Sequence, residues 1–248
     1  METRPVVHTD QAPASEVAAG VALAPMIAPQ EGSPLSLALL RVAAGASAAV
    51  AGGEDDLLLY VLEGRGRTAV DGAAVDVRPG TALLVPAGEA LDLTAAEALT
   101  VARFAAAGDA DLHAPLGEPA RVAQLDLAGA DDATGSRSFQ IMLGPDNGCC
   151  RATMFVGVVP PGAAPWHFHQ YDEIVMVVRG RARYHQVSGV PQEMGVGSAV
   201  RIRPRDVHVN ENPAEEEMHV LGVFTPAGSP SAAYLAPAGS TPPHPADG

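Results

Sequence analysis

Four side chains in the second half of the chain have the types and spacing of a metal site. His167 and His169 stand two residues apart, a spacing that points both imidazoles to one face of an extended strand. Glu173 keeps the same parity if the strand continues, and His208 follows 35 residues after it. Three imidazoles and one carboxylate suit Zn, Fe, Mn, Ni or Cu about equally well. The alternative is a surface histidine pair beside a solvated glutamate.

The elements that must position these residues are short strands. Short strand-like segments, many of them apolar, are separated by Gly, Pro and Asp throughout the middle of the chain, a pattern typical of an all-β barrel or sandwich. The pattern also repeats, because DLLLYVLEGRGRTAVDG is similar to EIVMVVRGRARYHQVSG, and the turn glycines Gly64 and Gly180 lie 116 residues apart. The sequence therefore predicts two β-domains of one kind in tandem.

The region from Gly162 to Asn212 resembles the two signature motifs of the cupin superfamily. The first motif is matched by His167, His169, Glu173 and Gly180, with Gly162 one residue closer than the family pattern. The second is matched by Gly197, His208 and Asn212, while Arg203 and Arg205 stand at the family's Pro and Gly positions. The resemblance implies that His167, His169, Glu173 and His208 bind one metal.

The N-terminal half carries the same template without the ligands. Ala51, Gly53 and Leu57 stand at the positions of the two histidines and the glutamate, and Leu91 and Ala95 at those of the second-motif His and Asn. None of these side chains can bind a metal, so this half is expected to be structural or dimer-forming.

The resemblance implies an all-β fold of two tandem cupin barrels, each a double-stranded β-helix or jelly roll. We predict five segments: an N-terminal arm at 1–33, a degenerate barrel at 34–108, a linker at 109–135, a metal-binding barrel at 136–225 and a C-terminal tail at 226–248.

The same resemblance implies a metal-dependent enzyme that acts on a small organic molecule. A non-haem iron (di)oxygenase, with secondary metabolism as one setting, is the favoured reading. Fe(II) is then the expected cofactor, one per chain, with Mn, Ni, Zn or Cu as alternatives. A non-redox isomerase, lyase or cyclase stays open, as does a binding protein without turnover. The sequence does not decide whether Glu173 is a ligand or a base, and it identifies no separate catalytic residue.

Further candidates lie near the motifs. His185 and His219 could line the same cavity as acid–base groups, or be hydrogen-bonded structural residues. Tyr171 and Tyr184 could donate protons. An arginine cluster could supply one inward side chain for a carboxylate or phosphate, or pair outward with acidic neighbours; it comprises Arg179, Arg181, Arg183, Arg201, Arg203 and Arg205.

The composition of the chain limits the classes of partner that it is expected to bind. The net charge of −14 opposes binding to nucleic acid or to anionic membranes, and no apolar run is long enough to span a bilayer. We expect a cytoplasmic homodimer, for which the outward residues Ile174 and Met176 would suit the shared face. The adjacent Cys149 and Cys150 predict one buried and one partly exposed thiol rather than a disulfide.

Overall fold

A computed structural model describes residues 6–133, 136–237 and 241, and nearly all of its regular structure is β. Within these residues the two helical elements are short 3₁₀ turns, Leu127–Gly129 and Pro145–Asn147, and no helix is long and apolar enough to cross a membrane. The strands of the first half are β1 (Ser15–Ala18), β2 (Val21–Ile27), β3 (Leu35–Val42), β4 (Ser47–Ala51), β5 (Asp56–Glu63), β6 (Gly66–Val70), β7 (Ala73–Val77), β8 (Thr81–Val85), β9 (Ala90–Ala95), β10 (Leu99–Ala106) and β11 (Val122–Gln124).

The second half of the chain is also built from short strands. They are β12 (Asp131–Asp132), β13 (Ser138–Leu143), β14 (Thr153–Val159), β15 (Gly162–Ala163), β16 (His167–His169), β17 (Asp172–Arg179), β18 (Ala182–Gln186), β19 (Gln192–Met194), β20 (Ala199–Ile202), β21 (His208–Asn212), β22 (Met218–Thr225) and β23 (Ala233–Leu235).

Each half forms a two-sheet barrel, which confirms the predicted fold. In the first, a seven-stranded sheet (β1-β2-β3-β10-β5-β8-β11) closes on a four-stranded sheet (β4-β9-β6-β7). In the second, a six-stranded sheet (β12-β13-β14-β22-β17-β20) closes on a sheet ordered β19-β18-β21-β16-β23, with β15 on β21. The alternation of side chains along each strand sends one set into its own barrel and the other set outward.

The outward faces of the two large sheets pack against each other. One continuous apolar cluster joins Leu39 and Phe104 of the first barrel to Met154 and Leu221 of the second. Ile174 and Met176 belong to this cluster and are fully buried, so their expected place on a homodimer face is wrong: the first barrel of the same chain covers them. The homodimer itself stays a prediction.

The segments that flank the barrels also pair with their sheets. The first strands, β1 and β2, extend the large sheet of the first barrel, although they lie in the predicted arm. In the same way β11, in the predicted linker, pairs with β8, and β23, in the predicted tail, pairs with β16.

Two of these pairings form a reciprocal exchange. Val7, near the start of the chain, bridges to Ala199 on the edge of the second barrel, with backbone bonds of 2.8 Å in both directions. Ala123, 116 residues further on, pairs with Ala82 on the edge of the first barrel. Each repeat therefore gives its first extended segment to the barrel of the other repeat.

The turn positions of the template keep their backbone conformation. Gly64 and Gly180 both have a positive φ, and a Cβ on Gly64 would lie 2.1 Å from the Ala98 carbonyl oxygen. Gly88 at the second-motif turn has φ +80°, and Arg205, at the corresponding place in the second barrel, has φ +67°. The turn therefore keeps its left-handed form although its glycine has been replaced.

Candidate metal centre

The fold brings together the four residues that the sequence selects. His167 on β16 lies opposite His208 on β21 in the ladder register, and the centroids of their rings are 4.4 Å apart. His169, at the end of β16, has its ring 5.2 Å from that of His208. Glu173 enters from the start of β17 in the other sheet. All four side chains line one cavity of about 100 Å³ inside the second barrel.

A backbone carbonyl fixes each imidazole by its Nδ1 atom. Nδ1 of His167 lies 2.9 Å from the carbonyl oxygen of Pro165, that of His169 2.9 Å from Tyr171, and that of His208 2.8 Å from Asp206. A carbonyl oxygen can only accept, so each Nδ1 must carry the hydrogen and each Nε2 is left as the free ligand atom. This arrangement, in which the second ring nitrogen is held by a hydrogen bond, is the usual one for histidines that bind metals.

The close contact between His169 and Glu173 requires a proton or a metal ion between the two side chains. Nε2 of His169 lies 2.9 Å from Oε2 of Glu173, yet this buried nitrogen has no aligned hydrogen bond. With Nδ1 committed as a donor, two electron pairs face each other unless a proton or a metal ion lies between them. Burial lowers the pKa of His169, but the neighbouring Glu173 outweighs burial and the pKa is raised on balance.

The other two imidazoles are held neutral. Burial lowers the pKa of His167 to about 4, and the charges of Arg137 and His169 lower it further against the opposing effects of Pro165 and Glu173. Burial also lowers the pKa of His208 well below its ordinary value, as do the nearby imidazoles. Neutral imidazole is the form that binds a metal.

These residues fit a divalent transition metal by donor chemistry. Among residues 6–133, 136–237 and 241, no group of three or more His, Cys, Asp or Glu is already gathered closely enough to form a ligand sphere. The four side chains nevertheless share one cavity, and the unpartnered Nε2 of His169 faces a carboxylate there. Three neutral nitrogens and one carboxylate oxygen are the donors that such ions prefer.

The rest of the cavity wall is mostly apolar. Phe155 on β14 and Val175 on β17 line the cavity from the sheet that also carries Glu173, and Tyr171 stacks on His169 with 4.1 Å between ring centroids. The segment after β22 closes one side, because Pro230, Ser231 and Ala233 also line the cavity. This segment is tied down where Tyr234 stacks on Phe168, with centroids 5.4 Å apart.

Two polar residues of the wall were not foreseen from the sequence. Arg137, immediately before β13, and Asn210, between the motif residues of β21, both line the cavity. The parity of β21 could have indicated Asn210, which shares a face with His208. No spacing rule points to Arg137, because it lies at the border of the predicted linker, outside both motifs.

Several other candidates lie away from this cavity. His185 forms a 2.6 Å contact with Glu211, and His219 lies on the outer face of β22 near Arg179. Arg201 is buried, where it donates to Ser33 and to the carbonyl groups of Ala28 and Leu35. Arg183 pairs with Glu193. The residues lining the cavity include no member of the predicted arginine cluster.

The first barrel has apolar side chains at the equivalent positions. Leu57, 116 residues before Glu173, is fully buried, and Leu91 packs against the same apolar cluster. Ala51 is exposed on β4, and Gly53 lies in a turn with φ +65°.

Comparisons with known proteins agree with this architecture. Residues 154–224 match the cupin domain family, a range that includes all four candidate ligands. A search of the curated proteins found no match. Oxalate decarboxylase from Bacillus subtilis, a protein with Mn(II) centres, superposes with a TM-score of 0.73 at 14% identity, over 95% of this chain and 80% of its own. AerE from Microcystis aeruginosa superposes with a TM-score of 0.69 at 12% identity, over 91% of this chain and 99% of its own.

A third similar structure is a cupin 2 conserved barrel domain protein from Leptotrichia buccalis. Its TM-score is 0.63 at 13% identity, and the match covers 90% of this chain and 97% of that protein. The second barrel therefore matches the cupin domain family in sequence over residues 154–224, and the chain as a whole shares the fold of these solved structures.

Proposed function

We propose that the second barrel binds one divalent transition metal through His167, His169, Glu173 and His208, and that the chain is a metal-dependent enzyme acting on a small organic molecule. The observation that carries this proposal is the set of three imidazoles whose Nδ1 atoms are bonded to carbonyl groups, with Nε2 of His169 unpartnered beside Glu173. Within this proposal we favour Fe(II) and an oxygenase reaction. Mn(II) is the second candidate.

The metal would supply a Lewis acid for substrate oxygen atoms and, if it is iron, a site where O₂ and substrate can meet. The chain's own residues determine the shape and polarity of the cavity around the metal. Phe155 and Val175 exclude water from one side of the cavity, and Tyr171 holds the ring of His169 by stacking. The phenol of Tyr171 stays protonated, because burial and the Glu173 charge raise its pKa.

The carboxylate of Glu173 has a position suited to two roles. It can bind the metal, or it can move a proton to or from a substrate atom in the cavity, since its Oε2 already approaches Nε2 of His169. Both roles require the buried position at the start of β17, where Glu173 is only 5% exposed.

The metal content of the purified protein tests the proposal. We expect about one transition metal per chain in the wild type and a loss of it in His208→Ala, measured by mass spectrometry after gel filtration. His185→Ala is the matched control, because it removes an imidazole of similar burial from the same barrel outside the cavity. If His208→Ala and His185→Ala retain the same metal content as the wild type, the proposed site is wrong.

Oxygen uptake separates the reaction classes. The oxygenase proposal predicts O₂ consumption by the Fe(II)-loaded protein with its substrate and none by His208→Ala. Turnover without O₂ would instead indicate a non-redox enzyme, and binding without turnover would indicate a binding protein.

A further inference from the structure

A second and larger cavity lies between the two barrels, at one end of the interface of their large sheets. This inter-barrel cleft has a volume of about 560 Å³, against about 100 Å³ for the cavity with the candidate ligands. Among the residues that the structure describes, none lines both cavities. The cleft is therefore separate from the candidate metal centre, and it has the size of a site for a small organic ligand.

The walls of the cleft come from matched positions of the two repeats. Glu63 and Arg179 lie 116 residues apart, and both line the cleft at the ends of β5 and β17. Thr9 and Leu125 are also 116 residues apart and line it from the two exchanged segments. A ligand in the cleft would therefore contact both barrels at once.

The charges of the two walls do not cancel. In the first barrel, Arg41, Thr100 and Glu63 lie side by side on β3, β10 and β5, and the hydroxyl of Thr100 donates to Glu63 at 3.3 Å. Arg179 lies opposite His219 on the second wall. Neither Arg41 nor Arg179 forms an ion pair or a hydrogen bond with any residue in the described part of the chain. Two guanidinium groups against one carboxylate leave one positive charge in the cleft of a protein with a net charge of −14.

Two buried polar side chains also line the cleft. His219 is 8% exposed, and its Nε2 has no hydrogen-bond partner within residues 6–133, 136–237 and 241. Burial lowers the pKa of His219, and the charge of Arg179 lowers it further against the opposing effect of Glu217, so the ring is neutral and has one donor and one acceptor. Burial raises the pKa of Tyr60 to about 12, which keeps its phenol a neutral donor. Both groups suit a ligand with polar atoms, because a buried polar group without a partner is unfavourable.

The remaining surface of the cleft restricts which ligand fits. Leu39, Leu62 and Val178 line it, and they belong to the apolar cluster between the barrels or pack against it. These side chains suit an apolar body and give no hydrogen bonds to a polyol. One carboxylate balances the single positive charge and matches the planar fork of a guanidinium, whereas a phosphate monoester carries nearly two negative charges.

We propose that the inter-barrel cleft is a second ligand site, which binds an organic monocarboxylate with an apolar body. Arg41 of the first barrel and Arg179 of the second hold the carboxylate group, and the body lies on Leu39, Leu62 and Val178. The bound carboxylate stabilises the packing of the barrels because it bridges them. This site goes beyond the proposed function, since it needs neither the metal nor its ligands.

Benzoate and benzamide are suitable probes because they have nearly the same shape and differ in charge. Their affinities for the purified full chain are measured by ligand-observed NMR titration. We expect benzoate to bind at least about tenfold more tightly than benzamide. At ten times its dissociation constant, benzoate should raise the melting temperature by about 3 to 5 °C, because it binds only the folded chain.

Variants assign the preference to the cleft. In Arg41→Gln and in Arg179→Gln we expect benzoate to bind about tenfold more weakly, with benzamide unchanged. Arg179→Lys keeps the charge without the planar fork and should lose less affinity than Arg179→Gln. Arg67→Gln is the matched control, because Arg67 is an exposed arginine on β6 outside the cleft. His208→Ala should leave benzoate affinity unchanged, since His208 lines only the other cavity.

Four outcomes would overturn the cleft as a carboxylate site. The first is equal affinity of the wild type for the two probes, and the second is an equal loss of benzoate in Arg67→Gln and Arg41→Gln. The third is a loss in His208→Ala with no loss in Arg41→Gln or Arg179→Gln, which would place benzoate at the metal centre. The fourth is a loss confined to one of the two arginine variants, which would refute the bridging of the barrels. If the chain takes up no metal but prefers benzoate through both arginines, the cleft is supported while the proposed function fails.

Discussion

The two barrels share one template and fill it in opposite ways. Leu57 and Glu173 occupy equivalent positions on β5 and β17, yet Leu57 is part of an apolar core and Glu173 lines a cavity with three imidazoles. Strand order, turn conformation and the mutual packing of the large sheets are the same on both sides. The barrel is therefore specified by its strands and turns, and the proposed ligands are not needed to form it.

The largest effect is expected from placing the carboxylate in the first barrel, where the equivalent position lies in an apolar core. Leu57→Glu should lower the free energy of unfolding by about 4 kcal/mol or more, because the charge would be buried among apolar side chains without a partner. Urea denaturation followed by circular dichroism measures this. Ala51→Glu is the control, since Ala51 is exposed and its replacement should change stability by less than about 0.5 kcal/mol. A small effect for both would mean that the first barrel already tolerates a polar interior.

The reverse exchange in the second barrel should separate metal binding from stability. Glu173→Leu should weaken metal binding by at least about 100-fold, because a ligand and its negative charge are lost. The metal-free protein should be as stable as the wild type or more stable by about 1 kcal/mol, since a buried carboxylate is replaced by an apolar side chain. Competition with a chelator and thermal melts of the metal-free protein measure the two effects. Unchanged metal affinity would exclude Glu173 from the ligand set.

Asn212 marks a polar feature that only the second barrel keeps. Its side-chain amide donates to the carbonyl groups of Val159 and Glu216 and accepts from the amide of Ala214, whereas the equivalent residue of the first barrel is Ala95. Asn212→Ala should cost about 2 kcal/mol of stability by leaving these buried carbonyl groups without donors. Asn210→Ala, two residues earlier, is the control. Equal unfolding midpoints for Asn212→Ala and the wild type would show that the connection between β21 and β22 does not depend on this residue.

Arg205→Gly should have the smallest effect on stability among these substitutions, and it should stabilise the protein. The left-handed backbone of Arg205 costs about 1 kcal/mol relative to glycine, part of which glycine loses again through the entropy of the unfolded chain. Arg205→Gly, which restores the residue found at Gly88 in the first barrel, should therefore stabilise the protein by about 0.5 kcal/mol. Arg205→Ala removes the same side-chain bond to Gln170 without relieving the backbone, so it should not stabilise. A higher melting temperature for Arg205→Ala than for Arg205→Gly would contradict this explanation.

The sequence predicted the two barrels and the convergence of His167, His169, Glu173 and His208, because strand parity and turn glycines are local signals. It could not predict where Ile174 and Met176 would be buried, since an outward apolar face looks the same whether a second chain or the other barrel covers it. The sequence also could not predict that Arg137 lines the cavity. That residue reaches the cavity through the packing of β13 against β14, which no short motif records.

The exchanged segments at Val7 and Ala123 have a consequence for how the molecule can be divided. A gene divided just before Val122 would yield a first barrel without β11 and a second barrel without the segment at Val7 that pairs with Ala199. Each fragment would expose an unpaired strand edge and the apolar face of its large sheet, both of which invite aggregation. We therefore expect the halves to be insoluble when produced alone, to reassemble when produced together, and the intact chain to unfold in a single cooperative transition.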